Sequence, residues 1–429
     1  MLNRQSIYLA GSRFGGEDLD PFVSFTHLSK IKRTSILLIS RCNTSIPQLS
    51  NSQAHRERCE KIVFLLPTTP EDKMCKSGIH KLIEQLPKCE HHIHLEGALT
   101  PELLFDLAKK NGITLPSNDD AFTSPTTLTE RYRNFSSLDD FLGYYYIGMS
   151  VLIHASDFEA LAMDYFEHAA KDGVMHADVF FDPQAHLSRG VEYGTVLSGF
   201  SAARARAQEE LGVTSELVCC FLRHLPVPEC LETFNLKEVQ SSFASGEVKA
   251  IGLDSSELNF PPELFEEIYK GASALGLRRT AHAGEEGPSK YIKSSLDLLG
   301  VERIDHGIRL AEDQQLLQRV AREGTLLTVC PISNVYLRCV TSVSELPIRK
   351  FLDEGVRFSI NSDDPAYFGN NYILDNYCAV QDAFDLSVKD WESICRASIG
   401  GSWCTDQRKT EMLVKLQNVL DDFTQGELA

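Results

Sequence analysis

From Met74 onward, eight strand-like runs alternate with stretches of helical length, and few folds accommodate that order. The runs cover residues 90–95, 175–181, 216–223, 248–254, 278–283, 303–306, 326–330 and 357–361. Amphipathic stretches such as 262–275 and 311–323 lie between them, and Pro262 and Gly276 bracket the first as start and stop signals. Strand and helix in repetition favour parallel pairing with the helices outside. Residues 74–429 are therefore expected to close into a (β/α)8 TIM barrel. About 80 residues separate the first two runs, far more than an ordinary connection in such a unit. Helical patterns at 101–111, 138–152 and 157–171 predict a helical insertion capping the barrel mouth.

Catalytic groups of such barrels lie at the carboxyl ends of strands, and four segments there carry metal-binding or proton-moving side chains. They are Glu90-His91-His92-Ile93-His94-Leu95-Glu96-Gly97, Thr280-Ala281-His282-Ala283-Gly284-Glu285, Asp305-His306-Gly307 and Asn361-Ser362-Asp363-Asp364-Pro365. Side chains on a strand alternate faces, so His92 and His94 point the same way and can share one ion. A lone His-x-His is weak evidence. Here His282 offers a third imidazole and Asp363 a hard oxygen, a set that suits zinc with a position left for water. Four unrelated polar residues would have to reach strand ends by chance to imitate it.

Zinc lowers the pKa of bound water from 15.7 to about 7. The resulting hydroxide needs an electrophilic carbon and a leaving group that can be protonated. Glu285, three residues beyond His282, is placed to protonate a ring nitrogen and activate the adjacent carbon. Its structural alternative is a carboxylate at a helix N-terminus. His306 could take a proton from the water or hold the hydroxide, and a core histidine is its bland counterpart. Asp364 faces away from Asp363 if the strand continues, leaving it free to meet a ring nitrogen of the substrate. The chain has no Pro-Cys-x-x-Cys, His-Glu-x-x-His, Gly-x-Ser-x-Gly or glycine-rich phosphate loop.

A net charge of -18 argues against nucleic acid as a partner, because phosphate binding needs a basic footprint. The longest apolar runs fall far short of a membrane span. Twelve cysteines without a Cys-x-x-Cys pair read as reduced thiols of a cytosolic protein. The first 73 residues differ from the rest. They hold ten basic and seven acidic side chains, against 32 and 53 in the remainder. Glu17, Asp18 and Asp20 sit badly with a mitochondrial transit peptide. Residues 1–73 are expected to be a disordered or artefactual N-terminal extension, with Met74 as the functional start.

These motifs resemble those of the adenosine and adenine deaminase family of zinc barrel enzymes, from about residue 86 to 423. Residues 86–97 look like its opening signature, and the three later motifs match in order. The resemblance implies one zinc per chain on His92, His94, His282 and Asp363. It makes Glu285 the proton donor, His306 the residue that activates or orients water, and Asp364 the substrate contact. Where adenosine-type members carry a longer Asp-Leu-Ala-Gly-Asp-Glu turn, this chain has Gly252-Leu253-Asp254-Ser255-Ser256-Glu257, which resembles the adenine deaminase branch. The implied activity is hydrolysis of adenine to hypoxanthine and ammonia in purine salvage, through zinc-bound hydroxide. The alternatives are adenosine deamination or a catalytically silent purine-binding barrel. The expected partner is a small purine base, and the expected location the cytoplasm, extending to the nucleus. Two departures stand out. His91 replaces an apolar residue and should face the helical layer. Gly400-Gly401 interrupt a helix at a cost of about 1 kcal/mol each relative to alanine.

Overall fold

Strand β2, Val174–Phe181, is buried along almost its whole length, the pattern of a parallel strand covered on both faces. The structure, a computed structural model, describes residues 75–426; the proposed extension 1–73 lies outside them. The other strands are β1 (Lys88–Glu90), β3 (Thr214–Leu222), β4 (Val248–Asp254), β5 (Arg278–Ala283), β6 (Arg303–His306), β7 (Leu326–Val329) and β8 (Arg357–Ile360). They pair in sequence order, each parallel to the next. Beyond the ends of β1 and β8, Ile93 bridges Asp363 in parallel and draws the two edges together. This is the expected (β/α)8 barrel.

The first strand differs from expectation. Regular pairing stops at Glu90, and residues 95–98 form a 3-10 turn. Side chains take the place of the ladder: the His91 amide donates to Asn361 Oδ1 at 2.8 Å, and the Ser362 amide to Glu90 Oε1 at 2.9 Å. The backbone then resumes pairing, with Phe180 donating to Ile93 and His94 to Asp363. His92 and His94 thus sit on extended chain stitched to both neighbours rather than inside one continuous strand.

The long insertion after β1 is helical, with helices Pro101–Asn111, Pro125–Tyr132, Leu138–Met149 and Ala155–Lys171. Ser137 caps the third by accepting the Asp140 amide, and Asp139 and Asp140 favour its positive end. Leu138, Phe141, Leu142, Tyr145 and Tyr146 of that helix roof the cavity at the strand ends.

The lower barrel is plugged. Phe180, Val218, Cys220 and Ala250 fill its interior, with Trp403 packed against them. The Arg303 guanidinium lies 3.8 Å from the Trp403 ring centroid and donates to Asp178 at 2.7 Å. The glycine pair does not break helix Val388–Gly401. A Cβ at Gly401 would stand 2.6 Å from Leu326 Cδ2, so this glycine lets the helix end lie against β7.

Candidate metal centre

His92, His94, His282 and Asp363 converge at the carboxyl ends of the strands. One ligand atom from each lies within 4.8 Å of all the others, and all four side chains are buried. His94 Nε2 stands 3.3 Å from His282 Nε2. Asp363 Oδ1 is 3.0 Å from His92 Nε2 and 3.6 Å from His94 Nε2. Nitrogen and oxygen donors at about 2.0–2.1 Å around a four-coordinate zinc stand about 3.4 Å apart. The observed separations bracket that edge. His92 Nε2 makes no hydrogen bond despite its burial and its short contact with Asp363, which leaves it a buried donor aimed at the other three ligand atoms.

The shell behind these atoms fixes their state. Thr328 and Thr280 both donate to Asp305, at 2.9 and 2.7 Å. With its proton committed there, the Thr328 hydroxyl must accept from His92 Nδ1 at 2.9 Å. His92 Nε2 is left with a free lone pair. Asp305 also lies 3.6 Å from His282 Nδ1, and Asp254 lies 3.6 Å from His94 Nδ1. Burial, reinforced by the neighbouring imidazoles, pushes His282 well below the ordinary histidine range. Burial also lowers His94. For Asp363, burial alone would raise the pKa, but protons held among His92, His306 and His94 outweigh it and lower it well below the usual carboxylate range, and a bound cation would take the place of those protons. Neutral imidazoles and a charged carboxylate are the forms that bind a metal.

The remaining expected residues line the same cavity. Glu285 is 3 % exposed, with Oε2 3.5 Å from His306 Nε2. Burial first, then Asp363, raises its carboxyl well above the usual range. His306 Nε2 lies 3.8 Å from Asp363 Oδ2, while Asn334 faces its Nδ1 at 3.2 Å. Asp364 Oδ1 is buried without a partner. His306 and Asp363 both hold left-handed backbone, φ 59° and 68°, a conformation that persists only where the surroundings fix it. His91 turns away, between Ser359 Oγ at 3.0 Å and Ser402 Oγ at 2.9 Å.

Several site residues were not read from the sequence. Glu257 accepts the amides of Gly284, Glu285 and Gly287, each at 3.0 Å, and so shapes the loop that carries Glu285. Ser333 donates to Asp363 Oδ2 at 2.6 Å. Asp254 and Asp182 face the cavity, and Asp254 has no hydrogen bond on either oxygen. Asp254 ends a strand just as Asp363 follows one. That position was the available signal for it, whereas Ser333 and Asn334 lie on a short helix that carried none.

Residues 87–419 match the family described as adenosine deaminase. The chain is 58% identical over 351 residues to an adenine deaminase of Schizosaccharomyces pombe, covering 82% of this chain and 95% of the relative. Among solved structures, an adenine deaminase from Arthrobacter aurescens superposes with a TM-score of 0.74 at 42% identity, covering 78% of this chain and 99% of that one. An amidohydrolase from Burkholderia ambifaria with bound Zn gives 0.73 at 25% identity, covering 82% and 98%.

Proposed function

The chain belongs to the adenosine deaminase family, and from that premise we propose that it is an adenine deaminase, hydrolysing adenine to hypoxanthine and ammonia. The observation that carries the reading is the convergence of three buried imidazoles and one carboxylate beside Glu285. High identity over nearly the full length of the fission yeast adenine deaminase supports the choice of base.

His92, His94, His282 and Asp363 would hold one zinc ion. When bound, zinc supplies a Lewis acid that brings water into its nucleophilic form near neutral pH. The protein's own groups move the protons. Glu285, kept protonated by burial, donates to the ring nitrogen beside the amino-bearing carbon and makes that carbon electrophilic. His306 accepts a proton from the attacking water and passes it to the departing amino group. The water's second proton returns to Glu285, so water supplies the new oxygen and ammonia leaves. Asp364 holds a ring nitrogen and sets the plane of the base.

The cavity suits a base better than a nucleoside. Asp254 and Asp182 present buried oxygens without partners, which can meet the imidazole N–H that only the free base carries. Ser255 is fixed over the mouth by His224 Nδ1 at 2.7 Å and Tyr146 at 3.3 Å. The adenosine reading is accordingly not favoured, and the full ligand set argues against a silent barrel. Residues 74–429 form the catalytic unit in this reading, with 1–73 an extension. A role in purine salvage follows from the product, and the ten free cysteines among the described residues fit a reducing cytoplasm. No helix among the described residues is long and apolar enough to cross a membrane.

The test is ultraviolet-monitored deamination with adenine and adenosine in parallel, before and after zinc removal. Zinc-dependent loss of adenine alone is expected. Turnover of adenosine alone would overturn the choice of base, and activity on neither would overturn the enzyme reading.

A further inference from the structure

A second group of metal-ligating side chains lies outside the barrel site. His80 opens the helix His80–Gln85, and Cys378 sits in helix Ile373–Phe384. His80 Nδ1 is 3.3 Å from Cys75 Sγ and 3.7 Å from Cys378 Sγ. All three ligand atoms fall within 4.8 Å of one another. Zinc bonds of about 2.3 Å to sulfur and 2.0–2.1 Å to nitrogen give a tetrahedral N···S edge of about 3.6 Å. The two observed edges bracket that value.

The chemistry of the donors agrees with the geometry. The Cys75 amide donates to His80 Nδ1 at 3.2 Å, so Nδ1 is the unprotonated nitrogen, and an ion bound there would take over the lone pair that now accepts this long contact. Both sulfurs are buried, at 4 % and 6 % exposure. Thiolate is the metal-binding form, and Cys75 and Cys378 lie close enough for one ion to share both. Two sulfurs and an imidazole select soft ions and disfavour magnesium or calcium. The ligands also join separate parts of the chain. Around them the Lys76 amide donates to Asp382 Oδ1 at 2.8 Å and Gln381 Nε2 to Ser77 Oγ at 3.1 Å. Cys75 and His80 precede the residues matched by the family, so the barrel chemistry does not account for this arrangement.

We infer that Cys75, His80 and Cys378 form a second metal site for zinc, structural rather than catalytic, with a solvent molecule completing four ligands. Binding releases the thiol protons of both cysteines to solvent and clasps the segment before His80 to helix Ile373–Phe384.

The experiment uses the full chain, purified under reducing conditions and loaded with zinc or cobalt(II) alone. Elemental analysis should find about two zinc ions per chain, falling to about one in C75S/C378S, with deamination unchanged. Cobalt should give a thiolate charge-transfer band in the parent, because the donors proposed for the barrel site are nitrogen and oxygen only. That band should vanish in C75S/C378S and weaken or shift in H80Q, which keeps both sulfurs. An unchanged zinc count in the double variant, or no such band in the parent, would overturn the inference. So would a non-reduced parent two mass units lighter than its reduced form, since that identifies a Cys75–Cys378 disulfide. The band and the metal count do not depend on turnover, so they test this site even if the assigned activity fails.

Discussion

Glu257 Oε1 accepts the backbone N–H of Glu285 at 3.0 Å, so a carboxylate after β4 positions the chain that carries the proposed proton donor after β5. Its other oxygen takes the amides of Gly284 and Gly287. Glu257→Gln would turn an N–H₂ group toward one or two of these N–H donors and displace the loop. The expected result is a kcat about 10–100-fold lower, the scale seen when a supporting partner of a site residue is lost. Zinc content should stay near that of the parent. Steady-state kinetics with elemental analysis checks both.

Glu285→Gln removes the acidic proton and keeps the shape. General acid catalysis is worth about 10²–10⁴-fold, so turnover of adenine should fall by at least about 100-fold. Zinc should remain near one ion at the barrel site, because Glu285 is not among the four expected ligands. Full activity in this variant would remove Glu285 from the mechanism.

Gly97 is pinned by Asp364, the proposed substrate contact. A Cβ there would lie 2.0 Å from Asp364 Oδ1 and 2.7 Å from Asp364 Cα. Gly97→Ala must therefore shift Asp364 or the turn that carries it, at a cost of about 1–3 kcal/mol for overpacking. KM for adenine is expected to rise about tenfold, the equivalent of 1.4 kcal/mol of binding. Thermal unfolding and a KM-against-kcat comparison together separate lost binding from lost folding.

The barrel and its site were legible in the sequence to different depths. Seven of the eight strands lie within a residue or two of the expected runs, because buried parallel strands write themselves as short apolar segments. The first did not, since Glu90 and Asn361 side chains replace ladder hydrogen bonds there and no periodicity encodes that exchange. His92, His94, His282 and Asp363 could be singled out because each lies at or just beyond the carboxyl end of a strand and is of a ligand type. Glu257 could not be assigned its task, because its partners are backbone amides, which leave no mark on sequence. Gly401 read as a weakness for the same reason: its value lies in contact with Leu326, a residue 75 positions away.

A chain beginning at Met74 should keep its activity, since His92 is the first expected site residue in sequence. It also retains Cys75 and His80, so its zinc count should match the full chain. Equal kcat/KM for adenine and equal metal content are the expected readings. A lower melting temperature or lost activity would place the start of the functional unit earlier.

Asp178 and Arg303 make the last prediction, which concerns stability rather than chemistry. Both are fully or almost fully buried and lie 2.7 Å apart under the candidate metal centre. Burial alone would raise the Asp178 pKa, but Arg303 and His176 outweigh it and hold the carboxyl far below the usual range. A carboxyl depressed in the folded state contributes stability above its unfolded pKa of about 3.9 and loses it as pH falls toward the folded value. Asp178→Asn removes this contribution and leaves the Arg303 charge buried without its partner, at a cost of about 3–5 kcal/mol. The variant should therefore melt well below the parent at about pH 7, and the gap should narrow at about pH 3, where the parent has begun to lose what the variant lacks. Melting curves of both proteins at the two pH values decide it; a gap that stays constant would mean that Asp178 acts through packing and not through its charge.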